Sequence, residues 1–186
     1  MEPSTVLIPM ADGSEEIETC AMVDTLRRAD LDVTLAAVGD HLTVTCSRGV
    51  RLVADVPLAE VADRSFDLVA LPGGMPGAEH LAQSGALRAL LAAQHARRGL
   101  IGAICAAPAV VLQPQGLLDG HAATCHPTFF EHLDPVRRRE DRVVIDGHLV
   151  TSRGPGTAIE FALALVEQLL GPGRRTAVAA PMLVRE

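Results

Sequence analysis

Short apolar runs alternate along this chain with longer segments whose apolar residues recur every three or four positions. Val6-Leu-Ile-Pro-Met10 is a continuous apolar run and predicts a strand buried on both faces. Asp12 to Ala29 follows as a helix, with Met22, Leu26 and Ala29 at i, i+4 and i+7 and Val23 beside them. Asp12 with Glu15 three residues on reads as a capping box that starts it. Asp32 to Val38 predicts the next strand. His41 to Val53 predicts a small antiparallel excursion that turns at Ser47-Arg-Gly49. A strand from Phe66 to Leu71 stops at Pro72-Gly-Gly74. Ala86 to Ala96 predicts a helix, Leu100 to Ile104 a buried strand, and Ala106 to Leu112 a helical segment with Pro108 in its first turn. His121 to Cys125, Arg142 to Ile145 and His148 to Thr151 are further strands, the last two paired through Asp146-Gly147. Thr157 to Leu170 is a strong helix, with Ala158, Ala162, Leu165, Val166 and Leu169 on one face, and Gly171-Pro-Gly173 ends it. Arg174 to Pro181 predicts a last short helix.

Strand and helix alternate in βαβα order, which predicts an α/β domain with a mostly parallel sheet covered on both faces. No repeat, low-complexity tract or linker divides the 186 residues, so one domain over 1–186 is expected. Hydrophobic residues make up 48%, enough to exclude disorder. The net charge of −7, with no Trp or Tyr and four Phe, argues against general nucleic-acid binding, which needs a basic face and stacking rings. Arg137-Arg-Arg139 is read as a solvated loop. Met1-Glu-Pro-Ser-Thr5 lacks a basic leader, and no apolar run approaches the roughly 20 residues of a membrane span. A cytoplasmic protein away from membranes is the default expectation. Cys20, Cys46, Cys105 and Cys125 form no Cys-x-x-Cys pair and should be thiols in a reducing compartment.

In sheets of this kind ligands bind beyond the carboxyl ends of the strands. Three features converge there: Gly13 to Glu18, Pro72-Gly73-Gly74, and Cys105. A cysteine at a sharp strand-to-helix turn is pushed out of the sheet and set beside free N–H groups that favour a thiolate. The alternative is a buried structural cysteine. Glu15, Glu16 and Glu18 suit a helix N-terminus on charge alone. Gly73 and Gly74 suit either a tight turn or a close backbone approach to a ligand. His121, Cys125, His126 and His132 cluster in sequence, but their spacing matches no standard metal site.

Six blocks taken together resemble the ThiJ/PfpI superfamily, and more narrowly its clade with bacterial YajL and the human Parkinson-disease-linked deglycase. They are Gly13-Ser-Glu-Glu-Ile-Glu18, Cys46-Ser-Arg-Gly49, Leu71-Pro-Gly-Gly74, Ala103-Ile-Cys-Ala-Ala-Pro108, Cys125-His-Pro127 and Thr151-Ser-Arg-Gly-Pro-Gly-Thr157. The resemblance runs nearly end to end. It implies a flavodoxin-like three-layer sandwich, of the class I glutamine amidotransferase-like kind, assembled as a homodimer. It implies Cys105 as nucleophile, Glu18 as a proton donor with raised pKa, and His126 near the sulfur. Gly73, Gly74 and Ala106 would supply oxyanion N–H groups, and Arg28 and Arg48 an anion pocket with help from a partner subunit. Cys46 would lie near the dimer interface.

The implied activity is glutathione-independent conversion of small dicarbonyls, or removal of glycation adducts, with neither cofactor nor metal. The alternative is an oxidative-stress sensor or redox-regulated chaperone working through oxidation of Cys105. Protease-like members carry His directly after the nucleophile. Here that position is Ala106, so peptidase activity is not expected.

Overall fold

A computed structural model describes residues 3–184; Met1 and Glu2, on which part of the leader reading rests, lie outside the described residues. Seven strands form one sheet: β1 (Thr5–Met10), β2 (Asp32–Ala37), β5 (Val56–Pro57), β6 (Leu68–Leu71), β7 (Leu100–Ile104), β8 (Val143–Asp146) and β9 (Leu149–Ser152). Their order is β5-β2-β1-β6-β7-β9-β8, parallel except for β8, which runs antiparallel to β9. The apolar runs of β1, β6 and β7 fill the centre, as strands covered on both faces must. Helices α1 (Glu16–Arg28), α4 (Ala158–Leu170) and α5 (Pro172–Ala179) pack together, and α4 also packs on β7 and β9. Helix α2 (Gly77–Gln83) packs on the Pro108–Leu112 turn, and α3 (Gly85–Ala96) on β7. The result is the expected α/β flavodoxin-like sandwich.

The chain leaves β1 toward β2 on one side and later returns to β6 on the other. That reversal makes a crevice at the carboxyl ends of β1 and β6. Pro9 suits the place: the pairs between β1 and β6 end at Leu7 and Val69, while Pro9 still pairs Ala36 of β2. A separate hairpin, β3 (Thr43–Thr45) and β4 (Arg51–Val53), turns at Ser47-Arg-Gly49 as expected.

Several expectations are corrected. The first helix begins at Glu16 rather than Asp12. Glu15 is its N-cap, accepting the Glu18 N–H at 2.7 Å. Asp12 instead accepts the Thr45 N–H at 2.8 Å and so ties the loop to β3. His121 to Cys125 is not a strand; it makes one isolated bridge, Ala123 to Arg138. Ala106 to Leu112 is not a regular helix either. It is a turn at Cys105–Ala106, then from Ala107 a single wide π-helical turn, Pro108–Leu112, and a 3-10 turn, Gln113–Gln115. Sequence periodicity did not reveal α2 or β5, which are short and lack an apolar repeat of their own. No helix among the described residues is long and apolar enough to cross a membrane.

Candidate active site

Cys105 follows β7 with φ +64°, a left-handed conformation that non-glycine residues rarely take. Two hydrogen bonds hold it there. Its N–H donates to Ser152 O at 3.0 Å, and its carbonyl accepts the His126 N–H at 2.8 Å. Ser152 is itself fixed, its hydroxyl donating to Arg142 O and sharing a 2.7 Å contact with Thr157 Oγ1. The Thr151 to Thr157 block therefore supports the turn that carries the sulfur.

Glu18 comes from the first turn of α1 and is fully buried. One carboxylate oxygen accepts the Gly73 N–H at 2.7 Å. The other, Oε1, has no hydrogen-bond partner, although Cys105 is near enough for each group to shift the ionisation of the other. Burial, opposed by the Gly73 N–H and aided by the charge of Glu15, pushes Glu18 up to about 7. Burial and then the charge of Glu18 push the Cys105 thiol up to about 12, against the pull of the Gly74 and Ala106 N–H groups. Two acids thus meet where only one negative charge is tolerated. The charge of an ionised Glu18 disfavours a thiolate at Cys105, and a protonated carboxyl removes that opposition.

The oxyanion set is corrected as well. The Gly73 N–H is committed to Glu18, which leaves those of Gly74 and Ala106 facing the sulfur. Glycine is required at both loop positions by contact. A Cβ on Gly73 would lie 2.6 Å from Cys105 Cβ, and one on Gly74, at φ +84°, would lie 2.5 Å from the Glu15 nitrogen.

Cys105, only 8% exposed, opens onto a cleft of about 500 Å³ lined also by Glu15, Arg48, Gly74, Ala106 and His126, with an apolar rim of Ile17, Met75, Phe129 and Pro155. The His126 Nδ1 accepts the Thr128 N–H at 3.3 Å, which places any ring proton of the neutral imidazole on Nε2. Arg48 reaches the cleft because its hairpin is stitched to α1. Glu16 accepts the Ser47 hydroxyl at 2.9 Å and the Arg48 N–H at 2.9 Å. Arg28 does not reach the cleft of its own chain. It lies on the last turn of α1 and pairs with Asp24 at 2.7 Å. Cys46 and Cys125 are buried, and burial pushes both thiols up to about 11. Cys20, on α1, is exposed. The sequence placed Glu15 in a capping box with Asp12 and in the helix-end charge, but not at the cleft, and it did not single out Met75 and Phe129. The cue for Glu15 lies in its place three residues before Glu18, the spacing of an N-cap acceptor and its donor. No group of three or more candidate ligands among the described residues is arranged to hold a metal ion.

The family model described as DJ-1/PfpI family matches residues 4–168, most of the chain. The chain belongs to that family. Protein DJ-1 homolog B of Arabidopsis thaliana is 50% identical over 166 residues, covering 89% of this chain and 38% of that protein. The chain spans about two fifths of the length of the two Arabidopsis relatives it matches. The glutathione-independent glyoxalase DJR-1.2 of Caenorhabditis elegans is 40% identical over 179 residues, covering 95% of this chain and 94% of that protein. Among solved structures, oxidized DJ-1 of Toxoplasma gondii superposes with a TM-score of 0.97 at 45% identity, covering 98% of this chain and all of that one.

Proposed function

We propose that this DJ-1/PfpI protein converts small 1,2-dicarbonyls such as methylglyoxal and glyoxal to the 2-hydroxy acids, without glutathione and through a thiol on Cys105. The observation that carries this reading is that Cys105 opens onto a cleft and has a buried carboxyl, Glu18, behind it. In the first step Glu18 accepts the thiol proton as the sulfur attacks the aldehyde carbon. Glu18 passes that proton to the carbonyl oxygen, and a hemithioacetal forms. The Gly74 and Ala106 N–H groups face the oxygen as its charge develops. Glu18 then moves the proton from the former aldehyde carbon to the neighbouring carbon, while the hydroxyl proton passes to the neighbouring carbonyl oxygen, giving the thioester of the hydroxy acid. His126 stands in the cleft as a second proton carrier. Water cleaves the thioester and restores the thiol, so the net change is addition of one water to methylglyoxal to give lactate.

The same nucleophile and relay would act on glycated adducts of Cys, Lys or Arg, and the Arg48 guanidinium would attract the carboxylate of the released hydroxy acid. The relative named as a glutathione-independent glyoxalase supports the dicarbonyl reading. The absence of His after Cys105 speaks against a peptidase. We take the protein to work in the cytoplasm as a homodimer, for which exposed Ile17 and Ile159 offer apolar surface. Turnover of methylglyoxal to lactate by the purified protein, compared with Cys105→Ser, tests the proposal. Turnover is expected to fall to background in the variant, and full retention would overturn it.

A second reading, reversible sensing of peroxide, is supported by the oxidized state of the Toxoplasma relative and by the unpartnered Glu18 Oε1 beside the sulfur. A protonated Glu18 would donate to a sulfinate there. Intact mass after peroxide treatment would show two oxygens added at Cys105. Oxidation at the other thiols alone would sink this reading.

A further inference from the structure

Glu15 occupies a place that its role as a helix cap does not exhaust. Its N–H donates to Gly73 O at 3.0 Å, the Gly73 N–H donates to Glu18 Oε2 at 2.7 Å, and the Glu18 N–H donates to Glu15 Oε2 at 2.7 Å. These three hydrogen bonds close a ring through Glu15, Gly73 and Glu18. The ring ties the first turn of α1 to the loop after β6, and every member touches the Glu18 carboxyl or the backbone that carries it. Thr19 closes the turn from the other side, its hydroxyl donating to Glu15 O at 2.7 Å.

The carboxylates of Glu15 and Glu18 also divide the space between them. Glu18 is fully buried and does not line the cleft, whereas Glu15, 8% exposed, does. Glu15 is therefore the acid that stands between the buried proton and water. The charged and titratable groups around it are Glu16 and Glu18 on its own helix, Arg48 on the hairpin turn, Cys20 and Cys46 behind, and Cys105 and His126 across the cleft.

We propose that Glu15 is a positioning residue for the Glu18–Cys105 pair: its carboxylate closes the hydrogen-bonded ring that aims Glu18 at the sulfur, and its negative charge keeps the shared proton in the pair. This rests on the proposed role of that pair, but the ring and the cleft-facing charge are independent of any substrate. Burial raises Glu15 itself, with the charge of Arg48 opposing, and the charge on Glu15 raises Glu18 in turn. The sign follows directly. A negative neighbour disfavours the first ionisation of the pair, so removing it lets the pair lose its first proton at lower pH.

Glu15→Gln separates charge from cap, because the amide oxygen still accepts the Glu18 N–H. The measurement is the rate of Cys105 alkylation by iodoacetamide from pH 5 to 10, with the melting temperature of each protein alongside. Cys105→Ser gives the background from the other thiols. In Glu15→Gln the rising limb of the profile is expected to move to lower pH by roughly one unit. The melting temperature should stay close to that of the parent. A profile superimposable on the parent would overturn the proposal and leave Glu15 a helix cap. Alkylation does not depend on dicarbonyl turnover. A protein inactive on methylglyoxal with a shifted profile would thus refute the proposed activity while upholding the role of Glu15.

Discussion

At position 105 the chain holds a cysteine at φ +64°, a conformation worth about 1–3 kcal/mol of strain. Bonds to Ser152 and His126 offset it. Glu18 carries the other cost at the site. Its carboxyl rises from an ordinary 4.5 to about 7, chiefly by burial, which corresponds to about 3 kcal/mol of folding stability. Because the folded value lies above the unfolded one, the stability it contributes is full below pH 4.5. That stability is lost as pH rises through about 7. Glu18→Gln keeps an acceptor for the Gly73 N–H but cannot ionise. Its melting temperature relative to the parent is expected to climb between pH 4.5 and 8, read by thermal denaturation across that range. A constant difference would mean that the buried carboxyl pays no such penalty.

The site is made where three elements end: α1 begins at Glu16, β6 stops at Leu71, and β7 stops at Ile104. The Gly73-Gly74 loop is the joint, because its backbone lies against Glu15 on one side and Cys105 on the other. Gly74→Ala forces a Cβ to 2.5 Å from the Glu15 nitrogen at φ +84°. It is expected to lower stability by about 2 kcal/mol or more, seen in urea unfolding, and to slow Cys105 alkylation. The strands here were legible because their residues form continuous apolar runs, and α4 because its apolar face repeats with helical spacing. The start of α1 was not. Asp12 and Glu15 both have the chemistry of a cap, and only the packing of Asp12 against Thr45 decided between them.

Across the whole molecule, the opposite edge of the sheet holds a second group of ionisable side chains. His148 Nε2 lies 3.0 Å from His95 Nδ1, and the His121 ring stands edge-on to His148 with centroids 5.5 Å apart. Burial, then the neighbouring imidazoles and Arg98, hold His148 below its usual value, with Asp146 opposing; His95 is lowered by burial, His121 and Arg98. Both take up protons at lower pH in the fold than in the unfolded chain, whose imidazoles titrate near 6.5, so they weaken the fold as pH falls below that value. His148→Gln loses the contact with His95 but cannot be protonated. The stability gap between parent and variant is expected to narrow from pH 7.5 to pH 5 in melting experiments. A widening gap would refute this assignment.

The sequence by itself determined the βαβα order, the buried strands, the turn at Ser47-Arg-Gly49 and the convergence of Glu18, Gly73, Gly74 and Cys105 at one sheet edge. Each follows from local apolar period, from glycine at a chain reversal, or from a position just past a strand. Tertiary structure alone decided that the Gly73 N–H is committed to Glu18, that Glu15 rather than Asp12 caps α1 and faces the cleft, and that Arg28 pairs with Asp24. It also decided that the sulfur and the carboxyl compete for one charge. Those outcomes depend on distance and burial between residues far apart in the chain, and hydrogen-bond partners and desolvation exist only once the strands are paired and the loops packed.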